Sequence, residues 1–222
     1  MKKLENELKE GNKMTMNIYD SSFTKASAAK AKRRKKLVVI VSILIVMLFG
    51  FLIYDNMQIG RELDSYRGVA VYYNGIIYIR SHGQHFSGSG YYYGFKWQCV
   101  EHVKRFYYQA LGHEMPDVFG HAKDFFDPSV AQGQLNTSRG LIQYRNGGDV
   151  SPRPDDLLVF TDRRFGHVAI ITYVTDSYVE IIQQNIFGRP RERLPLRIEG
   201  DQYFIGNRRE PAGWLRLDPE GQ

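Results

Sequence analysis

Leu37–Tyr54 reads LVVIVSILIVMLFGFLIY, 18 residues without a charge. An α-helix rises 1.5 Å per residue, so this run would be about 27 Å long, close to the hydrocarbon thickness of a bilayer. A core helix of that length ordinarily keeps a polar face. A cleaved signal peptide has a shorter apolar stretch, with a small-x-small cleavage site after it. Here Asp55-Asn56-Met57-Gln58 follow and a 36-residue leader precedes. The run therefore predicts an uncleaved transmembrane anchor over 37–54. Lys30, Lys32, Arg33, Arg34, Lys35 and Lys36 stand before it, and only Arg61 and Arg67 lie within the next 15 residues. By the positive-inside rule the N-terminus is expected in the cytoplasm, with residues 55–222 on the periplasmic or extracellular side of a bacterial cytoplasmic membrane.

The charge distribution sharpens this division. Residues 1–36 carry 11 Lys/Arg and 4 Asp/Glu, which leaves 19 and 20 for residues 37–222. The net charge of +6 thus belongs to the tail, and the exported part is nearly neutral. It lacks the basic footprint of a nucleic-acid binder, so no nucleic-acid partner is expected. Residues 1–36 are poor in aromatic and branched side chains and are expected to be a disordered, basic cytoplasmic tail. The hydrophobic share of 43% is enough for a core. A single cysteine, Cys99, excludes an intrachain disulfide framework and a multi-cysteine metal site.

Residues 55–68 read as a short helical or irregular linker, and the folded domain is expected over 69–217, with 218–222 as a tail. Asn74-Gly75 between two β-prone runs signals a hairpin over Val69–Ile79. Val100, Val103, Tyr107 and Leu111 recur at helical spacing, which predicts a helix over 99–111 stopped by Gly112. A second short helix is expected near Ala122–Phe126 and irregular chain over 127–155. The period then changes to two. Strands are expected at Leu157–Phe160, His167–Val174 and Tyr178–Gln184, the last two joined by Thr175-Asp176-Ser177. Further strands are expected at Phe204-Ile205 and Trp214-Leu215. A helix followed by consecutive strands indicates an α+β fold with an antiparallel sheet.

Cys99 opens the predicted helix, where unpaired N–H groups and the positive dipole end favour a thiolate. A buried, inert thiol is the bland alternative. His167 heads an apolar strand just after Gly166, the place for a base. With a three-residue loop at 175–177, paired numbers sum to 352. His167 then faces Asn185, with Gln183 two residues away on the same face. Either amide oxygen can orient the imidazole. His82 and His85 have HxxH spacing without a third ligand, so no metal and no cofactor are expected. His102, His113 and His121 read as packing or surface residues. Arg189, Arg191, Arg193 and Arg197 read as one solvated face.

Tyr93-Gly94-Phe95-Lys96-Trp97-Gln98-Cys99-Val100-Glu101, Gly166-His167-Val168-Ala169-Ile170 and Gln183-Gln184-Asn185 together resemble the CHAP domain family, cysteine- and histidine-dependent amidohydrolases/peptidases with a papain-like α+β fold. The KWQCVE run is similar to the amidase half of bacterial glutathionylspermidine synthetase/amidase. The resemblance implies Cys99 as nucleophile, His167 as base and Gln183 as third residue, where members often carry Glu. Asn185 is expected to share that last role. The resemblance also implies an oxyanion site at the Cys99 N–H with Gln98. In an exported, membrane-anchored enzyme, such chemistry points to peptidoglycan amides as substrate. A glutathionylspermidine-type amidase and a catalytically silent wall-binding domain are the competing expectations.

Overall fold

The computed structural model describes residues 1–218, so part of the expected C-terminal tail, 219–222, lies outside the described residues. The chain divides into two compact units, Met1–Tyr54 and Asp55–Gln222.

All of the first unit but Met1 lies within one helix, α1 (Lys2–Gln58). Residues 2–36 are thus helical, not disordered as expected. Lys, Ala, Glu, Met and Leu, all good helix formers, together make up 21 of residues 1–36. The first proline in the chain is Pro116, so nothing breaks the helix. Within α1, Phe23–Gln58 is long and apolar enough to cross a membrane, with a mean hydropathy of 3.1 over its window and none of that window buried in the protein. A membrane span and a signal sequence both meet that description.

The second unit begins with the expected linker, which is instead part of the fold. Asp55 accepts from Tyr73 Oη at 2.6 Å and from the Ile76 N–H. Strand β1 (Glu62–Tyr66) pairs antiparallel with β2 (Val69–Tyr72). Their two-residue turn is Arg67-Gly68, both at positive φ (47° and 78°), the geometry that suits a hairpin's twist. The hairpin expected at Asn74-Gly75 does not form. The Asn74 amide instead donates to Tyr78 O, and residues 73–83 make no strand. Strands β3 (Gln84–Phe86) and β4 (Tyr92–Phe95) form a second small hairpin, leading into α2 (Cys99–Leu111).

Helix α2 has the expected bounds. Gly112 ends it at φ 67°, its N–H returning to Tyr108 O. A single 3-10 turn, Ala122–Phe125, takes the place of the expected second helix. The expected irregular stretch 127–155 contains two strands, β5 (Gln134–Asn136) and β6 (Leu141–Arg145). The remaining strands are β7 (Leu157–Phe160), β8 (His167–Val174), β9 (Tyr178–Ile182), β10 (Arg191–Glu199), β11 (Gln202–Ile205) and β12 (Gly213–Arg216). β5–β12 form one eight-stranded antiparallel sheet in the order β11-β10-β9-β8-β7-β12-β6-β5. The chain is α+β, as expected.

Alternation along the strands gives the sheet two apolar faces. Leu157, Val159, Val168, Ile170, Ile182 and Leu215 pack with Val103, Phe106 and Tyr107 of α2. Leu158, Ala169, Ile171, Val179, Ile181 and Trp214 form the other cluster. Each such side chain contributes about 1.5–3 kcal/mol when fully buried, so α2 is held to β7–β9 mainly by these contacts. That packing fixes where the first turn of α2 meets the start of β8.

Candidate active site

Cys99 is the first residue of α2 and is partly exposed. The backbone N–H groups of Val168, Val100 and Cys99 itself act on its sulfur and draw the thiol pKa down. Val168 follows His167, so the helix start and the strand head meet at the thiol. Burial pushes the Cys99 thiol up, and the N–H groups and the Arg209 charge offset this only in part. The expected thiolate is therefore not the resting form. A helix start supplies partial charge, but desolvation of the sulfur costs more here.

His167 is 5% exposed. Its Nε2 lies 2.9 Å from Gln183 Oε1. Burial lowers its pKa to about 4, with the Arg209 charge acting in the same direction and Gln183 against it. Above that pH the imidazole is neutral. Gly166, at φ 71°, delivers the strand head. A Cβ there would sit 2.5 Å from Phe160 O and 2.6 Å from Lys123 N.

Asn185 is placed elsewhere. β9 ends at Ile182, the Gln183 N–H turns to Pro190 O, and Asn185 adopts φ 69°. Its Oδ1 accepts from Asn74 at 2.7 Å and its Nδ2 donates to Gln98 Oε1 at 2.6 Å. The expectation that Asn185 faces His167 extended a strand past its end. The paired-number sum is 352 at Ile170–Ile182, but 353 at Val174–Val179, with a bulge between. Gln183 keeps its expected place because the bulge absorbs that residue.

Gln98 is also committed. Its Nε2 donates to Arg80 O at 2.8 Å and to Tyr78 O at 3.2 Å. Both amide protons hold the 78–80 loop, so an oxyanion role for this side chain would require releasing one. The backbone N–H at Cys99 carries no such commitment to a carbonyl.

Beneath the site lies a network that single residues in the sequence did not signal. Glu101 is fully buried, 2.5 Å from Arg105 Nε and 2.7 Å from His85 Nδ1, and accepts from Gln184 Nε2 at 2.7 Å. Burial alone would raise its carboxyl, but His85, Arg105 and Gln184 outweigh it and hold Glu101 below the usual range. Gln184 also donates to Gln98 O and accepts from the Tyr72 N–H. It thereby ties the end of β9 to the start of α2 and to β2. His82 Nε2 pairs with Asn74 O, so the two histidines of the HxxH spacing serve separate polar contacts. Among the described residues, no group of three His, Cys, Asp or Glu is placed to hold a metal ion. His102 is fully buried on α2, and neither ring nitrogen has a hydrogen-bond partner. Burial takes its pKa down to about 3, helped by Arg105 and His167 and opposed by Glu101.

A lone cysteine at a helix start, beside a strand headed by an amide-held histidine, is an arrangement suited to nucleophilic thiol chemistry. Comparison with known families agrees: residues 90–185, 96 of the 222, match the CHAP domain. The curated relatives narrow the kinship. The chain is 34% identical over 116 residues to trypanothione synthetase of Crithidia fasciculata, covering 49% of this chain and 18% of that protein. It is 34% identical over 104 residues to the bifunctional glutathionylspermidine synthetase/amidase of Escherichia coli K12, covering 45% of this chain and 17% of that protein. The chain thus spans less than a fifth of the length of these relatives.

Proposed function

We propose that Cys99, His167 and Gln183 hydrolyse an amide through a thioester, on the outer side of a membrane that α1 anchors, with peptidoglycan as substrate. The hydrogen bond from His167 to Gln183, made beside the Cys99 helix start, carries the chemical part of this reading. With Nε2–H held by Gln183, the lone pair on Nδ1 is left to take the thiol proton. The sulfur then attacks the carbonyl carbon, and the Cys99 N–H stabilises the oxyanion. His167 returns the proton to the leaving amine, giving a thioester and a free amine. Water, deprotonated by the same imidazole, attacks the thioester and restores the thiol with release of a carboxylate. The neutral thiol and neutral imidazole suit this order, in which proton transfer accompanies attack.

The compartment and substrate rest on the uncharged run of 18 residues and the basic cluster Lys30–Lys36 before it. A reporter active only outside the cytoplasm, fused after Gln222, should be active. Full-length protein in detergent should release new amine and carboxyl termini from purified peptidoglycan, as read by mass spectrometry, and Cys99→Ala should release none. Binding without products would indicate a silent wall-binding domain.

A second reading is favoured by the relatives whose names include glutathionylspermidine synthetase/amidase. On that reading the substrate is a glutathionylspermidine-type amide. Hydrolysis of glutathionylspermidine with intact peptidoglycan left untouched would select it.

A further inference from the structure

Three hydrogen bonds converge on Gln183. Its N–H donates to Pro190 O at 2.8 Å, its Oε1 lies 2.9 Å from His167 Nε2, and its Nε2 lies 3.0 Å from Glu192 Oε2. Glu192 stands on β10 opposite Ile181 of β9. Residues two apart on a strand share a face, so Glu192 is diagonal to Gln183. It continues the row of Leu194 and Leu196, both buried, past the end of the core and is itself exposed. It lies outside the 90–185 stretch that matches the CHAP domain.

The roles at these atoms follow from which groups can donate. An ionised carboxylate only accepts, so Glu192 must face the Gln183 NH2. The Gln183 carbonyl oxygen is then turned to His167. A carbonyl also only accepts, so His167 must carry its proton on Nε2. That leaves Nδ1 bare. We infer that Glu192 is a positioning residue: it fixes the orientation of the Gln183 amide and, through it, the tautomer of His167. This inference rests on the reading of His167 as the base for Cys99.

Without Glu192 the amide has two orientations of nearly the same shape. The flipped one presents NH2 to the imidazole, which then accepts at Nε2 and holds its proton on Nδ1. A base in that form has no lone pair for the thiol. A carboxylate at position 183 would need no such control, because either oxygen accepts. Beside Glu192, however, it would place two negative charges about 3 Å apart, where like charges oppose one another. The two positions are therefore coupled with a predictable sign.

The test uses the full chain in detergent, ¹⁵N-labelled at histidine, in four forms: unaltered, Glu192→Ala, Gln183→Glu, and both together. Long-range ¹H–¹⁵N spectra report the His167 tautomer without any substrate. The unaltered protein should show Nε2–H, and Glu192→Ala a mixture. Loss of a hydrogen bond to a charged group should lower kcat of Glu192→Ala by about tenfold with KM nearly unchanged. In the Gln183→Glu background the same alanine should instead raise kcat. Melting curves should be alike for Glu192→Ala and the unaltered chain, since the side chain is exposed. An unchanged tautomer in Glu192→Ala would overturn the inference. So would an alanine effect of the same sign in both backgrounds. If no form hydrolyses any amide offered, the reading of function fails, while the tautomer spectra still decide the role of Glu192.

Discussion

Replacing His102 with phenylalanine should make the protein more stable at neutral pH and blunt its sensitivity to acid. The ring sits in the core of α2 with both nitrogens unpartnered. A buried polar group left unsatisfied costs about 1–3 kcal/mol, and phenylalanine fills a similar shape without that cost. The acid term follows from linkage. His102 titrates at about 3 in the fold and near its ordinary 6.5 in the unfolded chain. The unfolded state therefore binds the proton first. Stability from this group is full above pH 6.5 and declines as pH falls towards 3. Between pH 7 and pH 5 the loss is about 2 kcal/mol, since at pH 5 the unfolded histidine is protonated and the folded one is not. His167, at about 4, adds a similar loss over the same interval by the same logic. The unaltered protein should thus lose about 4 kcal/mol between pH 7 and 5 from the two groups, and His102→Phe about half of that. In a domain of this size about 2 kcal/mol corresponds to roughly 4–8 °C in Tm. Thermal unfolding of the full chain in detergent at both pH values, followed by near-ultraviolet circular dichroism, measures it. Equal Tm losses in the two proteins would refute the argument.

Further outcomes follow from the site. Gln183→Ala should lower kcat by about 10- to 1,000-fold, a barrier increase of about 1.4–4 kcal/mol. Asn185→Ala, whose partners are Asn74 and Gln98, should leave the His167 tautomer unchanged in nitrogen spectra. The acid limb of kcat/KM should lie near pH 4, where His167 gains its proton, and alkylation of Cys99 by iodoacetamide should be slow at pH 6 and rise with pH. A fast reaction at pH 6 would show a resting thiolate. Gly166→Ala should unfold the protein at lower temperature and remove activity, because its Cβ has backbone atoms within 2.6 Å and φ is positive. A circular dichroism melt beside an activity assay checks both.

The parts of the fold that sequence made legible are those whose residues obey a local period. Helix α2, β7 and β8 were readable because their apolar spacing matches the faces they bury. β6 was not, because its interior position Gln143 is polar. Its amide is satisfied by Asn136 and Asp127, partners distant enough in sequence to leave no pattern. β10 was hidden by Pro195 and by the alternation of Arg191, Glu192 and Arg193, which reads as solvated surface. The tail misled in the opposite direction, since low aromatic content argues against a core but not against a helix. In the candidate site, the placement of Cys99, His167 and Gln183 was legible because each sits at the start of a local element or beside one. Asn185 was misplaced because the end of β9 cannot be counted from residue numbers. Glu192 required the pairing of β9 with β10, which no short-range signal gives.

The place of β12 sets an order on assembly. It lies between β7 and β6, so within the ladder the two parts of the large sheet are joined through residues 213–216, and the other backbone link is the Gly148–Tyr203 bridge beyond β6. Trp214, on that strand, is fully buried. A chain that emerges from the ribosome or crosses a membrane from its N-terminus presents this strand after all the others. Until it arrives, β6 and β7 each expose an unpaired edge, and the apolar seam between them stays open. The domain is thus a clasp that closes with its last strand. Truncation before residue 213 would leave two incomplete sheets instead of a slightly shorter one.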